Sequence, residues 1–400
     1  MFWNFPWLYL GQVTGLISIT VFSLSFIFAT RLSLLWAIFG ELEYTYKIHK
    51  VAGITGSVFL LLHILFLFIH SLSKSFLFNY YWIPGSGWPM EFGRISLALF
   101  VIVVLTTYIK KIPYHIWKFI HYLSGPAFFF AVLHVITVSR DIKSNAPLRY
   151  WIFGMMGAAI LSYIYIRFLY RYIGPKHKYV VSDVEMIGEN YCLVSMKPKG
   201  KSMRYNPAQF AFFSFQSSEL GREVHPYTIT SSVDSDLLQI MCKTEGDWAR
   251  KMSSLQCGTV VDVWGPYGIF WDDYQMSRQE QIWIAGGIGV TPFISMLEYE
   301  RTRPIRTKKW FVYSTMSEED DVSDRFLSDH LQDTNVTLIN HYANRSGYLN
   351  VEFIEKNISN LKDKVFFMCG STPMVRELTR GLIEVGVPPN NIVHEDFSFR

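Results

Sequence analysis

Four histidines lie within the apolar stretches of the first half of the chain, where polar side chains are costly. His49 and His63 are 14 residues apart, and His121 and His134 are 13 apart. At a rise of ~1.5 Å per residue, either spacing separates two histidines by about 20 Å along a helix. Neutral imidazole is a good ligand of haem iron. The spacing therefore predicts two haem sites at two membrane depths, one held by His49 and His121 and the other by His63 and His134.

On a regular helix, His49 and His63 lie on nearly the same face, whereas His121 and His134 do not. Fourteen residues return to within about 40° of the starting face, whereas thirteen do not. Gly125-Pro126 lies between the second pair of histidines and predicts a proline kink that corrects the mismatch. Two alternatives stay open: the four histidines only hydrogen-bond between helices, or the register uses His70 or His115.

Five stretches of the first half are apolar enough to span a bilayer, which takes about 20 residues of helix. They are approximately residues 8–30, 48–70, 93–109, 119–138 and 150–170. The segment Ser33–Phe39 is predicted as an interfacial helix. Because no Lys or Arg precedes the first stretch, we interpret it as a retained span rather than a cleaved signal peptide.

Charged residues are unevenly distributed along the chain. Residues 1–172 hold 13 Lys and Arg against 4 Asp and Glu, whereas residues 173–400 hold 24 against 29. With the second half in the cytosol, ten basic residues flank the inner ends of the spans and five flank the outer ends. This is the positive-inside distribution, so the basic excess indicates membrane topology and not nucleic-acid binding. All four cysteines lie in the second half without a CxxC pair, which favours free thiols in a reducing cytosol.

After Gly174-Pro175 the pattern changes to short β-type runs. An antiparallel barrel is predicted from the alternating runs 179–186, 191–196, 210–215, 237–242 and 259–264. Apolar strands then alternate with helical segments, which predicts a parallel, doubly wound sheet from the strands 282–285, 309–314, 337–341 and 365–368.

Four short motifs in this half could bind nucleotides. The segment 225–231 (HPYTITS) places an aromatic ring beside hydroxyls, which suits a flavin. The segment 244–248 (TEGDW) is a predicted strand-to-helix turn whose free amides suit a pyrophosphate. The segments 284–292 (IAGGIGVTP) and 369–374 (CGSTPM) each follow a strand and open a helix, and they are predicted to face one crevice.

With these motifs in this order, the chain resembles the NADPH oxidase and ferric reductase superfamily along almost its full length. The histidine pairs match the family's bis-histidyl haem helices, and residues 205–215 (YNPAQFAFFSF) resemble the strand before its FAD signature. The compact size is most similar to a stand-alone prokaryotic NADPH oxidase. The resemblance implies three domains: an all-α transmembrane di-haem bundle (1–172), an antiparallel β-barrel FAD domain (173–278) and an α/β doubly wound NAD(P)H-binding domain (279–400).

The resemblance also assigns site residues by position. FAD would be contacted along its ring and phosphates by His225, Pro226, Tyr227, Thr228, Thr230, Ser231, Gly246 and Trp248. The nicotinamide nucleotide would be held by Gly286, Gly287, Gly289, Thr291, Pro292, Gly370 and Met374. Cys369 would approach the nicotinamide ring, and the C-terminal aromatic Phe397 would cover the flavin. Many relatives grip the NADPH 2′-phosphate with an arginine where this chain has Met316, so Arg345 is expected to substitute, with NADH as an alternative coenzyme.

The implied function is electron transfer from cytosolic NAD(P)H through FAD and two b-type haems to dioxygen. The resemblance implies that superoxide forms on the opposite side of the plasma membrane. A ferric or cupric reductase is the alternative enzyme, and a metal reductase should present acidic, Met or His groups outside. The predicted outer segments contain only Glu91 and Asp141 as acids, which favours oxygen. A haem-based redox sensor or docking subunit is the alternative of another class. No obligatory protein partner is expected.

The position of Phe397 generates a kinetic prediction. Hydride transfer needs the nicotinamide ring about 3–3.5 Å from the flavin, so an aromatic ring resident there must move aside. We expect Phe397→Ser to lower the KM for NADPH, to produce a flavin–nicotinamide charge-transfer band and to slow turnover through retention of the oxidised nucleotide. Stopped-flow titration of both proteins measures this. Unchanged nucleotide affinity with weaker FAD binding and a lower melting temperature would instead make Phe397 a hydrophobic plug.

Overall fold

The computed structural model describes residues 6–39, 42–73, 75–109, 111–138, 142, 144–221, 223–245, 247–268, 270–303, 307–322, 327–332 and 334–395. The chain divides into two compact units, Met1–Gly174 and Pro175–Arg400. The first unit is helical, and the second combines two sheets with short helices.

The first unit is a bundle of apolar helices. Its helices are α1 (Pro6–Phe28), α2 (Ser33–Phe39), α3 (Leu42–Ser71), α4 (Ser75–Trp82), α5 (Trp88–Tyr108), α6 (Tyr114–His121), α7 (Ser124–Val138), α8 (Ala146–Ile164) and α9 (Tyr170–Ile173), with a π-helical turn at Tyr165–Leu169. Within the described residues, five segments are long and apolar enough to cross a membrane: Pro6–Phe28, Tyr44–Ser71, Trp88–Tyr108, Ile116–Val138 and Ala146–Ile173. The prediction of five spans in a multi-pass membrane protein is thus confirmed, and a short helix occupies Ser33–Phe39 as expected.

Small residues let α1 and α3 pack closely. The hydroxyl of Ser18 donates to the carbonyl of Gly56 on α3 (2.9 Å), and a Cβ on Gly56 would lie 3.0 Å from the ring of Phe22. Membrane helices associate through such close packing and interhelical hydrogen bonds, because the lipid is as apolar as the side chains. Bulky side chains on the opposite faces, such as Val51 and Leu61, are exposed and fit a lipid-facing surface.

The fourth span is interrupted between α6 and α7, at Tyr122 and Leu123, as the Gly125-Pro126 kink predicts. Pro126 has no N–H, so the carbonyl of Tyr122 loses its α-helical donor. The phenol of Tyr163 on α8 donates to that carbonyl instead (3.0 Å). Gly125 is required beside it, since a Cβ there would lie 2.1 Å from the Tyr163 ring.

The second unit begins with an antiparallel barrel. Its strands are β1 (His177–Ile187), β2 (Tyr191–Pro198), β3 (Phe210–Phe215), β4 (His225–Thr228), β5 (Leu238–Lys243) and β6 (Val260–Tyr267), in the order β4-β3-β6-β1-β2-β5. A bridge between Ile229 and Ile240 joins the two ends of this sheet. Five of the strands were predicted; β4 was identified only as a motif.

A parallel five-stranded sheet follows. Its strands are β7 (Gln281–Gly286), β8 (Lys309–Thr315), β9 (Val336–Tyr342), β10 (Val365–Cys369) and β11 (Ile392–Glu395), in the order β11-β10-β7-β8-β9. The helices of this unit are α10 (Asp247–Arg250), α11 (Phe270–Met276), α12 (Thr291–Thr302), α13 (Ser328–Leu331), α14 (Ala343–Ser346), α15 (Val351–Asn357) and α16 (Thr372–Glu384), with 3₁₀ turns at Lys251–Ser254, Gly287–Val290, Leu361–Asp363 and Pro389–Asn391. This is the doubly wound strand order, whose direction reverses between β7 and β10. The predicted fold class is confirmed for both sheets.

The second unit should fold without the first, because its two sheets bury their own apolar cores. We expect residues 176–400, expressed alone, to unfold cooperatively on heating, followed by circular dichroism, and to bind FAD. A matched fragment of residues 191–400 lacks β1, which pairs with both β2 and β6, and should aggregate. Insoluble or flavin-free 176–400 would contradict the independence of the unit.

Candidate functional site

The structure brings His49 on α3 and His121 at the end of α6 together. Their ring centroids are 6.3 Å apart, and the ring planes are inclined by 79°. Two imidazoles that bind one metal ion through nitrogens ~2 Å from it have centroids ~6 Å apart. The spacing of this pair therefore fits a shared iron.

His63 on α3 and His134 on α7 are close enough for the charge of one to affect the other, as expected of the second pair. Nδ1 of His63 is 2.7 Å from the carbonyl oxygen of Gly11 on α1, and Nδ1 of His134 is 2.7 Å from that of Pro89 on α5. Four residues after each of these carbonyls, on α1 and α5, is a glycine. A Cβ added to that glycine would collide with the same imidazole. At Gly15 that Cβ would lie 2.7 Å from Nδ1 of His63, and at Gly93 it would lie 2.9 Å from Nδ1 of His134. For both histidines, a backbone carbonyl orients the imidazole and a glycine four residues later leaves room for the ring.

These contacts determine the tautomer of the imidazoles. A carbonyl oxygen only accepts hydrogen bonds, so Nδ1 must carry the proton and Nε2 keeps its lone pair. His49 follows the same rule, because its Nδ1 is 2.8 Å from the carbonyl oxygen of Ser25. A hydrogen bond from the second ring nitrogen to a carbonyl is the usual support of a metal-binding histidine. Three of the four histidines therefore present an oriented Nε2, as a haem ligand requires.

His121 is positioned differently. Its Nδ1 has no hydrogen-bond partner among the described residues, and its ring stacks on Trp117 with centroids 5.1 Å apart. Of the alternative histidines, His70 is buried next to Tyr81 with ring centroids 6.3 Å apart, and the side chain of His115 lies outside the described part of the chain. The geometry thus groups the four residues that the spacing singled out.

The HPYTITS segment runs through β4 and the turn after it. Tyr227 pairs with Ala211 on β3 and is half-buried, and burial raises the pKa of its phenol well above the usual value. The hydroxyl of Ser231 is 2.8 Å from that of Tyr205 and accepts from the backbone N–H of Gln239 (3.1 Å). Ser231 therefore braces the turn.

The other residues of the HPYTITS segment differ in hydrogen bonding and burial. The Thr230 hydroxyl is buried without a hydrogen-bond partner among the described residues, which fits contact with a bound group. Nε2 of His225 is 2.9 Å from the carboxylate of Glu223, Pro226 is half-buried, and Thr228 is buried. Gly246 and the side chain of Trp248 lie outside the described residues; β5 ends at Lys243 and α10 begins at Asp247.

The two glycine motifs meet at the switch point of the parallel sheet. Strands β7 and β10 pair with Ala285 beside Cys369, so the turns after both strands share one edge. A Cβ on Gly289 would lie 2.3 Å from the carbonyl oxygen of Cys369, and a Cβ on Gly286 would lie 2.7 Å from Sδ of Met374. Gly287 has a φ of 54°, which favours glycine. Open α/β sheets bind their ligands in the crevice at such a point.

The other residues predicted to hold the nucleotide differ in position and exposure. Gly370 abuts Gly286, and Thr291 and Pro292 form the first turn of α12. Cys369 is fully buried, and burial, followed by the charge of Glu395, raises the pKa of its thiol, so the thiol stays protonated at neutral pH. Arg345 is exposed and forms an ion pair with Glu318. Phe397 lies outside the described residues.

Some residues of the site were missed in the sequence. The histidines are supported by Gly11, Gly15, Pro89 and Gly93. Gly11 and Gly15 are four residues apart within an apolar stretch, which is a known signal of close helix packing. Tyr205 and Glu318 were also missed. Their partners are 26 and 27 residues away, so local patterns give no signal for them.

Comparison with known proteins identifies the family. Residues 14–132 match the ferric reductase like transmembrane component, residues 177–281 an FAD-binding domain and residues 283–380 an oxidoreductase NAD-binding domain. The chain belongs to the ferric reductase and NADPH oxidase superfamily. The three matched segments occur in the order that the resemblance implies.

Relatives of both activities are found. Ferric reduction oxidase 5 from Arabidopsis thaliana is 26% identical over 272 residues, which cover 64% of this chain and 35% of that protein. NADPH oxidase 1 from Mus musculus is 29% identical over 167 residues, covering 39% of this chain and 27% of that protein. The chain spans about half or less of the length of the curated relatives it matches. A flavohaemoglobin from Malassezia yamatoensis, solved with FAD and haem, shares the fold at a TM-score of 0.54 and 14% identity, over 98% of each chain.

The glycine beside His134 generates a prediction about haem retention. We expect Gly93→Ala to push the imidazole away from its carbonyl support and to lower haem affinity about 10- to 100-fold. The haem-to-polypeptide ratio of the purified protein should fall, because the haem site predicted at His63 and His134 would lose its haem. Gly154→Ala is the matched control, since a Cβ there meets nothing within 4 Å. Equal haem content in the two variants would contradict the proposed seating of His134.

Proposed function

We propose that this chain carries electrons from NAD(P)H through FAD and two b-type haems across the membrane to dioxygen, forming superoxide on the opposite side. The observation that supports this most directly is the arrangement of the membrane histidines. They form two pairs at two depths, and three of the four have Nδ1 held by a backbone carbonyl. Two sites of this kind in one bundle suit a transmembrane electron path.

The chain's own residues have separate roles in this proposal. His49 and His121 hold one haem, and His63 and His134 hold the other. When bound, the flavin would divide the two electrons of a hydride and the haems would carry them singly. Tyr227, Thr228 and Thr230 hold FAD against the barrel.

The nucleotide would bind at the switch point of the parallel sheet. The turns around Gly287 and Gly370 approach its phosphates, with the N-termini of α12 and α16 directed at them. The protonated thiol of Cys369 contributes a neutral, buried surface next to the nicotinamide. With two histidines predicted to hold each haem, neither iron would have an open position for dioxygen.

In this proposal the second unit lies in the cytosol, and the His63–His134 pair lies on the outer side of a plasma membrane. The excess of basic residues at the proposed inner ends supports this orientation. A redox sensor of another class would not need the nucleotide crevice, so NAD(P)H turnover by the purified chain separates the two functions.

A ferric or cupric reductase is the second candidate, because the relatives include ferric reduction oxidases as well as NADPH oxidases. A metal reductase should offer free acidic groups to a cation on the outer side. Glu91 is engaged instead: its carboxylate pairs with Arg94 (2.7 Å) and accepts from the backbone N–H of Gly85 (2.7 Å). The neutralised carboxylate favours dioxygen as the acceptor.

The decisive experiment measures superoxide formed per NADPH consumed by the purified full chain, with and without superoxide dismutase and a ferric chelate. We expect dismutase-sensitive superoxide to account for most of the electrons and the chelate to add little. His134→Leu should abolish superoxide while flavin reduction continues, whereas His70→Leu, outside both pairs, should retain it. Electrons that pass to the chelate in the presence of dismutase would favour the metal reductase.

A further inference from the structure

The loop after β8 is strongly acidic. Residues 316–321 contain Glu318, Glu319, Asp320 and Asp321 and no basic residue. β8 pairs in parallel with β7, the strand that leads into the glycine-rich turn, so the loop lies at the same edge of the sheet as the nucleotide crevice. In dinucleotide-binding folds, a carboxylate near this turn accepts from the ribose 2′-hydroxyl of NAD, whereas an arginine accommodates the 2′-phosphate of NADP.

Arg345 in α14 is a basic residue that contacts this loop, and Glu318 is its partner there. Its guanidinium forms an ion pair with the Glu318 carboxylate and lies 5.4 Å from the centroid of the Tyr342 ring. The two loops are also joined by their backbones, since the N–H of Asn344 donates to the carbonyl of Met316 (2.9 Å). The pair is therefore positioned by the fold of both loops.

The other carboxylates of the loop have different partners. Asp321 accepts from the phenol of Tyr342 (2.6 Å), and Asp320 accepts from the side-chain amide of Asn190 (2.8 Å). Burial, with Asp321 as the next cause, raises the pKa of Tyr342 to about 12, so this phenol remains a donor at neutral pH. Glu319 accepts from the hydroxyl of Ser317 (3.3 Å). Of the four acids, Glu318 is the one that occupies Arg345.

We propose that Glu318 determines coenzyme preference by occupying Arg345, so that this chain favours NADH over NADPH. This inference rests on the proposed function, in which the crevice binds a nicotinamide nucleotide. A 2′-phosphate carries a charge of about −2 and would meet an acidic loop whose nearby arginine is already paired. A ribose 2′-hydroxyl, in contrast, donates to a carboxylate without repulsion.

The test is calorimetric titration of the full chain in detergent with NAD⁺ and with NADP⁺, which requires no turnover. Wild type should bind NAD⁺ more tightly. Glu318→Gln releases Arg345 and should raise NADP⁺ affinity about tenfold, the effect of one charge-assisted contact to phosphate, with NAD⁺ affinity little changed. Glu319→Gln removes the same charge one residue away without releasing Arg345, and should change NADP⁺ affinity less than about threefold, as expected for screened surface charges. Glu318→Gln combined with Arg345→Ala should lose the gain.

The following results would overturn the proposal. Tighter binding of NADP⁺ by wild type contradicts the preference itself. Equal gains in NADP⁺ affinity in Glu318→Gln and Glu319→Gln would show that the general charge of the loop, and not the occupancy of Arg345, sets the affinity. A gain in NADP⁺ affinity that survives Arg345→Ala would show the same. If neither nucleotide binds to wild type, the proposed function and this inference are rejected together. If both bind but the variants leave the ratio of NAD⁺ to NADP⁺ affinity unchanged, this inference alone is rejected. Melting temperatures of all variants check that each is folded.

Discussion

The hydrogen bond from an imidazole Nδ1–H to a backbone carbonyl is the constraint on which the membrane unit depends. At membrane depth no water replaces a lost partner, so a hydrogen bond to a histidine must come from the protein, and three of the four histidines have one to a backbone carbonyl. The carbonyls of Gly11, Pro89 and Ser25 serve this purpose, and helices α1 and α5 must approach closely enough to provide them. Glycines at 15 and 93 permit that approach, because any side chain there would occupy the position of the ring.

The same need for close approach organises the nucleotide crevice, where the two glycine turns contact each other directly. Gly286 abuts Gly370, and Gly289 abuts the carbonyl of Cys369, so these glycines pack strand β7 against β10 as much as they admit a ligand. The switch point between the two strands remains as the crevice. In both units, therefore, backbone proximity at glycine creates the site, and the polar side chains complete it.

Much of this arrangement could be predicted from the sequence, because its signals are local. Hydropathy and spacing predict the five spans, the histidine pairs and nine of the eleven strands that the described residues form. The kink was expected from Gly125-Pro126, but its repair by Tyr163 was not, since that partner lies 41 residues away. Strands β4 and β11 are only four residues long and give little periodicity. The pairing of Glu318 with Arg345 depends on two loops that only the parallel sheet brings together. The roles assigned to the site residues, including Gly246, Trp248 and Phe397, stay predictions.

The central claim is that each pair of membrane histidines holds one haem. The most direct measurement is the number of haems per polypeptide in the purified, haem-saturated full chain, with the spin state determined by electron paramagnetic resonance. Two low-spin b-type haems per chain are expected, because each iron would have two imidazole ligands and no open position. One haem per chain, or high-spin iron at either site, would contradict the account.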